Sequence, residues 1–423
     1  MSITHTHFDL RLSRRTLSAL FLAGLGSPLV PALDLLAQGA PSNPRPFRFA
    51  VPQATIDRIL NGVRDAQWPD RLDSSDWRYG TNWDNMRGLA KYWVEQFDWR
   101  KAEANLNRYP QFLARVGDYD IHFYLVKGRG PKPMPLILTH GWAGSVFEFV
   151  EAIGPLSDPA SFGASADDAF DVIIPSIPGY GFSSKPMGKP IGAPTVAALW
   201  NKLMIEVLGY TKYGAQGGDL GSGITAQLGR SHPDSLLGIH LNNVGARLFL
   251  PPPEIEQTPE ERTWRRAFAA YQAAEADYAG EHRNKPQTIA LALSANPVGA
   301  AAWIVEKLKV WSDSPDVHEP VFTKDQVLTN VMIYLVTNTV GTAIWFYRGN
   351  LDDPTGSDRV TVPTAFASSP HDMTSLNPPE SVVARHFNLV HYTKMPRGGH
   401  FAFWEQPELM VTNVRQFFRK LRG

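Results

Sequence analysis

Short apolar runs recur along the chain from residue 121 onward, and stretches with helical periodicity separate most of them. These runs predict a strand that begins at Tyr213 and others over 121–126, 135–140, 171–175, 236–244, 362–366 and 389–395. Strands of continuous apolar sequence are typical of a mostly parallel sheet whose two faces are covered by helices. We therefore predict an α/β fold.

Two segments interrupt this pattern. Residues 247–353 are helical and rich in alanine, which predicts a helical lid over the carboxyl edge of the sheet, where open α/β sheets bind ligands. Residues 44–124 show helical spacing at 56–63 and the end of a helix at 92–100, and the rest is rich in turns and aromatic residues. We expect this part to be a meander that packs on the core and the lid, which leaves 125–246 and 354–423 for the α/β core.

The first forty residues have the layout of a twin-arginine export signal. Arg14 and Arg15 precede a mildly apolar stretch at 20–25, and small residues follow at 37–40. A membrane-spanning helix needs ~20 uninterrupted apolar residues, and prolines break this stretch well before that length. The sequence therefore predicts export to the periplasm and no stable membrane span. A disordered or mitochondrial-type leader, and a cytoplasmic protein, are the alternatives.

Composition excludes several classes of site and partner. The 423 residues contain 41 Lys and Arg against 41 Asp and Glu, without a long basic run, which argues against nucleic acid or an anionic membrane surface as a partner. Cysteine is absent, so disulfides, thiol catalysis and Cys-zinc sites are excluded. With 12 Trp and 22 Phe, the chain has the aromatic residues for an apolar pocket as well as a core.

A tight turn at residues 217–221, Gly-Gly-Asp-Leu-Gly, has the sequence of the nucleophile elbow of an α/β-hydrolase, with Asp219 where a serine would stand. A carboxylate is anionic at neutral pH and can displace a leaving group from a saturated carbon, giving an alkyl ester. Attack on an ester or amide would give an anhydride instead. The elbow thus indicates epoxides or alkyl halides as substrates, and the alternative is an Asx-turn without a catalytic role.

An alkyl ester must then be hydrolysed, which requires donors for the oxyanion and a base for water. The His140-Gly141-Trp142 turn closes a predicted buried strand, so the amides of Trp142 and Leu220 are candidate oxyanion donors, whereas His140 itself is interpreted as structural. In this fold the order along the chain is nucleophile, acid, histidine, which points to His400 as the base.

The acid that orients His400 is expected in the loop after the strand 362–366. Asp372 lies in that loop, and Asp353 and Glu405 compete with it. An epoxide also requires a proton donor for its oxygen, and a buried tyrosine serves because its pKa near 10 retains the proton until charge develops. Tyr278 and Tyr347 lie in the predicted lid, but thirteen tyrosines offer many choices, and an aromatic core face is the alternative reading.

Together these residues resemble the microsomal-type epoxide hydrolases, including the insect juvenile-hormone epoxide hydrolases and their bacterial relatives. The resemblance extends from residue 47 to the C-terminus. Its motifs are 66–70 (AQWPD), 97–100 (FDWR), 106–112 (LNRYPQF), 140–145 (HGWAGS), 176–183 (SIPGYGFS), 217–221 (GGDLG) and 398–401 (GGHF). The resemblance implies an α/β-hydrolase fold, with Asp219 as nucleophile, His400 as base, Asp372 as acid, and Tyr278 and Tyr347 as the lid tyrosines.

Two positions depart from the family pattern. The family usually has a proline, often after a cis peptide bond, where this chain has Ala143, which leaves the cis or trans state of that bond open. The acid is often glutamate in this subfamily, and Asp372 is one methylene shorter.

The resemblance implies a cofactor-independent, metal-free enzyme that adds water to a small apolar epoxide. A haloalkane dehalogenase would use the same Asp-His-Asp chemistry. Dehalogenases, however, commonly carry tryptophan after the nucleophile, where this chain has Leu220. A catalytically silent ligand-binding protein is a further alternative. The oligomeric state is open, with a homo-oligomer among the options.

Overall fold

One sheet of nine strands forms the centre of the computed structural model, which describes residues 43–72, 76–243, 257–314, 321–374 and 376–422. Three strands at one side pair antiparallel: β1 (Arg45–Phe47), β2 (Gln111–Val116) and β3 (Tyr119–Val126). The other six are parallel to one another: β4 (Met134–Thr139), β5 (Phe170–Pro175), β6 (Tyr213–Gly217), β7 (Leu236–Leu241), β8 (Val360–Ser368) and β9 (Phe387–Lys394). The order is β1-β2-β3-β5-β4-β6-β7-β8-β9, so the predicted mostly parallel sheet is confirmed.

The apolar runs of the parallel strands follow from burial on both faces. In β4, Leu136 and Leu138 pack into one hydrophobic cluster, whereas Ile137 between them packs into the other. Successive side chains of a strand point to opposite faces, so a strand with helices on both sides has a nearly continuous run of apolar residues. The covering helices are α4 (Val150–Ser157), α5 (Ala193–Lys202), α6 (Leu220–Ser231) and α15 (Pro407–Arg419), with the shorter α13 (Glu380–His386) and α14 (Ala402–Glu405) beside them.

The N-terminal segment contains three helices, α1 (Gln53–Arg64), α2 (Trp83–Glu95) and α3 (Trp99–Leu106). Asp98 ends the short link before α3, where its carboxylate accepts hydrogen bonds from the amides of Arg100 and Lys101. Strands β1 and β2 were not predicted from the sequence. The first is three residues long with two exposed positions, and the second mixes polar and apolar residues without strict alternation.

Six helices lie between β7 and β8: α7 (Pro259–Glu275), α8 (Asp277–Asn284), α9 (Pro286–Ala295), α10 (Pro297–Val310), α11 (Lys324–Val336) and α12 (Val340–Asp352). They fall in the range expected for the lid. The N-terminal segment contacts them through two hydrogen bonds of 2.8 Å, from Tyr92 Oη to Asp325 Oδ1 and from Thr81 Oγ1 to the Ala302 carbonyl.

Strand β7 is shorter than the 236–244 expected from sequence. It ends at Leu241, because the chain then turns and directs the Asn243 side chain toward Asp372. Residue 244 lies outside the described residues, as does the predicted export signal at 1–40. Among the described helices, none alone has the length and apolar character of a membrane span. Two sharply bent pairs, α9 with α10 and α11 with α12, meet that test only by length and composition.

A buried ion pair attaches the lid to the core. Glu261 of α7 is 1% exposed, and its two oxygens accept hydrogen bonds of 2.6 and 2.7 Å from Arg385 of α13. Ser381, on the same helix as Arg385, donates to the carboxylate as well. The sequence gives Glu261 a second function, since it completes a capping box with Thr258 at the start of α7.

We predict that Glu261→Ala lowers the free energy of unfolding by about 3 kcal/mol, because it leaves Arg385 without its partner in a mostly buried position. Urea unfolding followed by tryptophan fluorescence measures this loss. Glu260→Ala is the matched control: Glu260 is exposed in the same first helical turn, so its removal should cost less than about 1 kcal/mol. Equal losses in the two variants would contradict the role of the buried pair.

Candidate active site

Asp219 stands at the sharp turn between β6 and α6. Its φ of 51° and ψ of −126° lie in a region that non-glycine residues rarely adopt, at a cost of about 1–3 kcal/mol. The glycines beside it allow the turn. A Cβ on Gly217 would lie 2.2 Å from the Gly221 carbonyl oxygen, and one on Gly221 would lie 2.0 Å from the Thr139 carbonyl oxygen. The turn thus presents the carboxylate beyond the carboxyl end of the central strands.

The structure brings Asp219, His400 and Asp372 together. His400 Nε2 lies 3.3 Å from Asp219 Oδ2, and Nδ1 lies 3.1 Å from Asp372 Oδ1. The His400 and Asp372 side chains are each 1% exposed, whereas that of Asp219 is 19% exposed. Among the described residues, no group is aligned for a hydrogen bond with His400 Nε2, so this atom can bind another molecule.

Two carboxylates hold a proton on His400. Burial alone would lower the pKa of this imidazole, but the adjacent carboxylates of Asp219 and Asp372 outweigh burial and raise the pKa to about 10. His400 is therefore an imidazolium at neutral pH while Asp219 carries its charge. If Asp219 becomes an uncharged ester, one of the two stabilising charges disappears, and the pKa of His400 must fall.

The backbone amide of Trp142 donates a 2.8 Å hydrogen bond to Asp219 Oδ1. This is one of the two candidate oxyanion donors, and the other, Leu220, is the first residue of α6. The bond between Trp142 and Ala143 is cis. The turn is held from α11, where the Asn330 amide donates to the Ala143 carbonyl at 2.8 Å and Tyr334 Oη donates to the Gly144 carbonyl.

The remaining candidates from the sequence lie elsewhere. His140 is buried, and its Nε2 accepts a 3.2 Å hydrogen bond from the Ile177 amide, so it joins two adjacent turns. Burial lowers the pKa of His140 to about 4, which keeps the ring uncharged. Glu405 accepts hydrogen bonds from the amides of three loop residues, Asp313, Gly399 and Phe401, and so braces the His400 loop. Asp353 ends α12.

Tyr278 of α8 and Tyr347 of α12 pack against Trp142, whose backbone amide donates to Asp219. The Trp142 indole stacks on the Tyr278 ring with centroids 5.3 Å apart, and the two tyrosine rings meet edge to face at 6.2 Å. Burial, reinforced by the charge of Asp219, raises the pKa of both tyrosines well above its ordinary value. Both hydroxyls therefore retain their protons.

Several residues of this site were missed by the sequence analysis. Asn243 and Thr374 both donate to the Asp372 carboxylate, and each also lies within 3.1 Å of His400 Nδ1. His282 packs edge to face on Trp142 with centroids 4.7 Å apart. Burial lowers the pKa of His282 to about 3, so its ring is uncharged where it contacts Trp142. Of these residues, only Thr374 could have been suspected from the sequence, because it lies two residues after Asp372.

Comparison with known proteins identifies the family. A family model described as "Epoxide hydrolase N terminus" matches residues 44–149, and one described as "alpha/beta hydrolase fold" matches 134–297. The chain is 37% identical over 383 residues to a putative epoxide hydrolase of Stigmatella aurantiaca, an alignment that covers 89% of this chain and 85% of the relative. The chain belongs to the epoxide hydrolase family. Epoxide hydrolase 1 of Oryctolagus cuniculus is 33% identical, with 88% of each protein covered.

Solved structures of this family share the fold. The epoxide hydrolase of Aspergillus niger is 29% identical, with a TM-score of 0.80 over 90% of this chain and 97% of that one. The juvenile hormone epoxide hydrolase of Bombyx mori is 27% identical, with a TM-score of 0.80 over 90% of this chain and 95% of that one. The α/β-hydrolase fold and the family resemblance deduced from the motifs are both confirmed.

In this epoxide hydrolase family member, we predict that His400 titrates near pH 10 and that Asp219→Asn lowers its pKa by roughly one pH unit or more, because one of two adjacent charges is removed. NMR titration of the histidine Cε1–H signals measures both values, with His400→Gln used to assign the signal. A pKa of His400 near 6.5 in the unmodified protein would contradict the predicted effect of the two carboxylates.

Proposed function

We propose that this protein hydrolyses an apolar epoxide to a vicinal diol through an ester between Asp219 and a carbon of the substrate. One observation carries the proposal: the Asp219 carboxylate lies 3.3 Å from the His400 imidazole, and the Trp142 residue whose amide donates to it packs against Tyr278 and Tyr347, which retain their protons. This arrangement provides the nucleophile, the base and the proton donor that the opening of an epoxide requires. The aromatic rings of Trp142, Tyr278 and Tyr347, which pack together beside Asp219's hydrogen-bond donor, favour an apolar substrate.

In the first step, Asp219 Oδ2 attacks an epoxide carbon. Its other oxygen, Oδ1, accepts from the Trp142 amide and becomes the carbonyl oxygen of the ester. The ring C–O bond breaks, its electron pair stays on the epoxide oxygen, and that oxygen takes a proton from Tyr278 or Tyr347. The tyrosinate then recovers a proton from the His400 imidazolium, whose pKa falls once Asp219 is esterified.

In the second step, neutral His400 accepts a proton from water, and the hydroxide attacks the carbonyl carbon of the ester. Negative charge develops on Oδ1, where the Trp142 amide already donates a hydrogen bond. The tetrahedral intermediate expels the diol oxygen. One proton of the water completes the diol and the other returns to His400, so the enzyme regains its starting state with Asp219 ionised.

The experiment that tests this function traps the ester. We predict that His400→Gln still alkylates but loses at least about 10²-fold in turnover, because no base activates water. Styrene oxide is the substrate, and peptide mass spectrometry should find the adduct on the peptide that contains Asp219. Asp219→Asn is the matched control and should show no adduct at first. An unmodified His400→Gln protein under saturating styrene oxide, or halide release from 1-chlorobutane without diol formation by the wild type, would sink the proposal.

We also propose that the protein is exported through the twin-arginine route to the periplasm. The support is the arginine pair at 14 and 15 ahead of the apolar stretch at 20–25, followed by small residues at 37–40.

We predict that replacing Arg14 and Arg15 together by lysine retains the full-length precursor in the cytoplasm, because this route reads the arginine pair and not merely its charge. Cell fractionation and immunoblotting measure the distribution. Arg11→Lys is the control, since it makes the same substitution outside the pair and should leave the periplasmic fraction unchanged. A wild-type protein found only in the cytoplasm would refute the export proposal.

A further inference from the structure

Glu148 lies behind the oxyanion turn and its carboxyl group folds back toward the elbow. It belongs to a 3-10 turn over Val146–Phe149, and its side chain covers the backbone of Gly144 so closely that a Cβ there would lie 1.6 Å from Glu148 Oε1. Any residue other than glycine at 144 would displace the carboxyl group. The chain therefore places this glutamate with the same turn that carries the Trp142 amide.

The carboxyl group lines a small cavity between the elbow and the histidine loop. The volume that the centre of a water molecule can occupy in this cavity is about 10 Å³, which is enough for one water. Four polar side chains, those of Glu148, Asp219, Asn242 and His400, line this cavity, and the rest of the lining is Trp142, Phe149, Gly218, Phe401, Ala402 and Phe403. A buried water needs two to four polar partners, and these side chains provide them.

We propose that Glu148 binds the water that hydrolyses the Asp219 ester, holding it between its own carboxyl group and His400 Nε2. This assignment rests on the proposed function, since it names a further residue of the same reaction. One O–H of the water donates to the Glu148 carboxyl oxygen and the other to Nε2, which directs an oxygen lone pair to the ester carbon. The proton that leaves the water goes to His400, and Glu148 gains and loses none.

The surroundings keep Glu148 uncharged at neutral pH. Burial raises the pKa of its carboxyl group to about 8; the charges of Asp219 and Glu405 add to this effect, whereas His400 and the Ser145 amide oppose it. A neutral carboxyl group presents a hydrogen-bond acceptor to the water without adding a third negative charge beside the imidazole. Glutamine has the same shape and the same acceptor, so it is the conservative replacement.

The test separates formation of the ester from its hydrolysis. Rapid-quench mass spectrometry with styrene oxide gives the alkylated fraction of the intact enzyme as a function of time, and hence both rates. For Glu148→Leu we expect hydrolysis of the ester to slow by about tenfold or more, with alkylation within about twofold of wild type, so the ester accumulates. Glu148→Gln should restore hydrolysis to within a few-fold of wild type.

Glu151→Leu is the matched control, because Glu151 lies three residues farther along, is half exposed, and pairs with Arg108 on the surface. It should leave both rates unchanged. Hydrolysis at the wild-type rate in Glu148→Leu would overturn the assignment of Glu148 alone. Parallel loss of both steps in the Leu and Gln variants would also overturn it, since that pattern indicates a structural role. Absence of any adduct in the wild type and in His400→Gln would overturn the proposed function itself.

Discussion

The site depends on the different contacts of the two carboxylate oxygens of Asp219. Asp219 Oδ1 accepts from the Trp142 amide, and Oδ2 faces His400 Nε2 at 3.3 Å, so the two oxygens have different environments before any substrate binds. The elbow makes this division possible because its positive φ fixes the direction of the side chain, and Gly141 leaves room for it: a Cβ on Gly141 would lie 2.2 Å from Oδ1. One oxygen is thereby prepared to become a carbonyl, and the other is left to attack.

The lid provides uncharged proton donors, the hydroxyls of Tyr278 and Tyr347. Tyr278, Tyr347 and His282 surround the Trp142 indole, and burial keeps all three uncharged, since it raises the pKa of the tyrosines and lowers that of the histidine. Uncharged donors beside an anionic nucleophile release a proton only when an alkoxide develops. The buried contact of Glu261 with Arg385 joins the start of α7 to α13.

The sequence predicted most of the framework, and three of the candidate residues named from it, Asp219, His400 and Asp372, lie together in the structure. The reasons for its failures are physical. Continuous apolar runs identified the parallel strands because both faces of that sheet are covered, whereas β1 and β2 at the edge have no such run. The elbow was recognisable because its glycines are sterically required. Asn243, by contrast, reaches Asp372 across 129 residues of sequence, and no local pattern encodes such a contact. The position of Asp372 in the loop after a strand favoured it over Glu405 as the acid. In the structure, Asp372 contacts His400 Nδ1, whereas Glu405 accepts hydrogen bonds from backbone amides.

In the proposed reaction, the charge on Glu148 affects the pKa of His400. In the free site, two carboxylates flank one imidazolium, which leaves a net charge of −1 when Glu148 is neutral. Esterification of Asp219 removes one negative charge, and the imidazole then shares only Asp372, so its proton is released and the ring can accept one from water. An ionised Glu148 in the same cavity would replace the lost charge and hold the proton on His400. The ester would then persist, since the ring would have no lone pair for the water. A buried, protonated glutamate therefore fits hydrolysis in a way that a carboxylate at the same position does not.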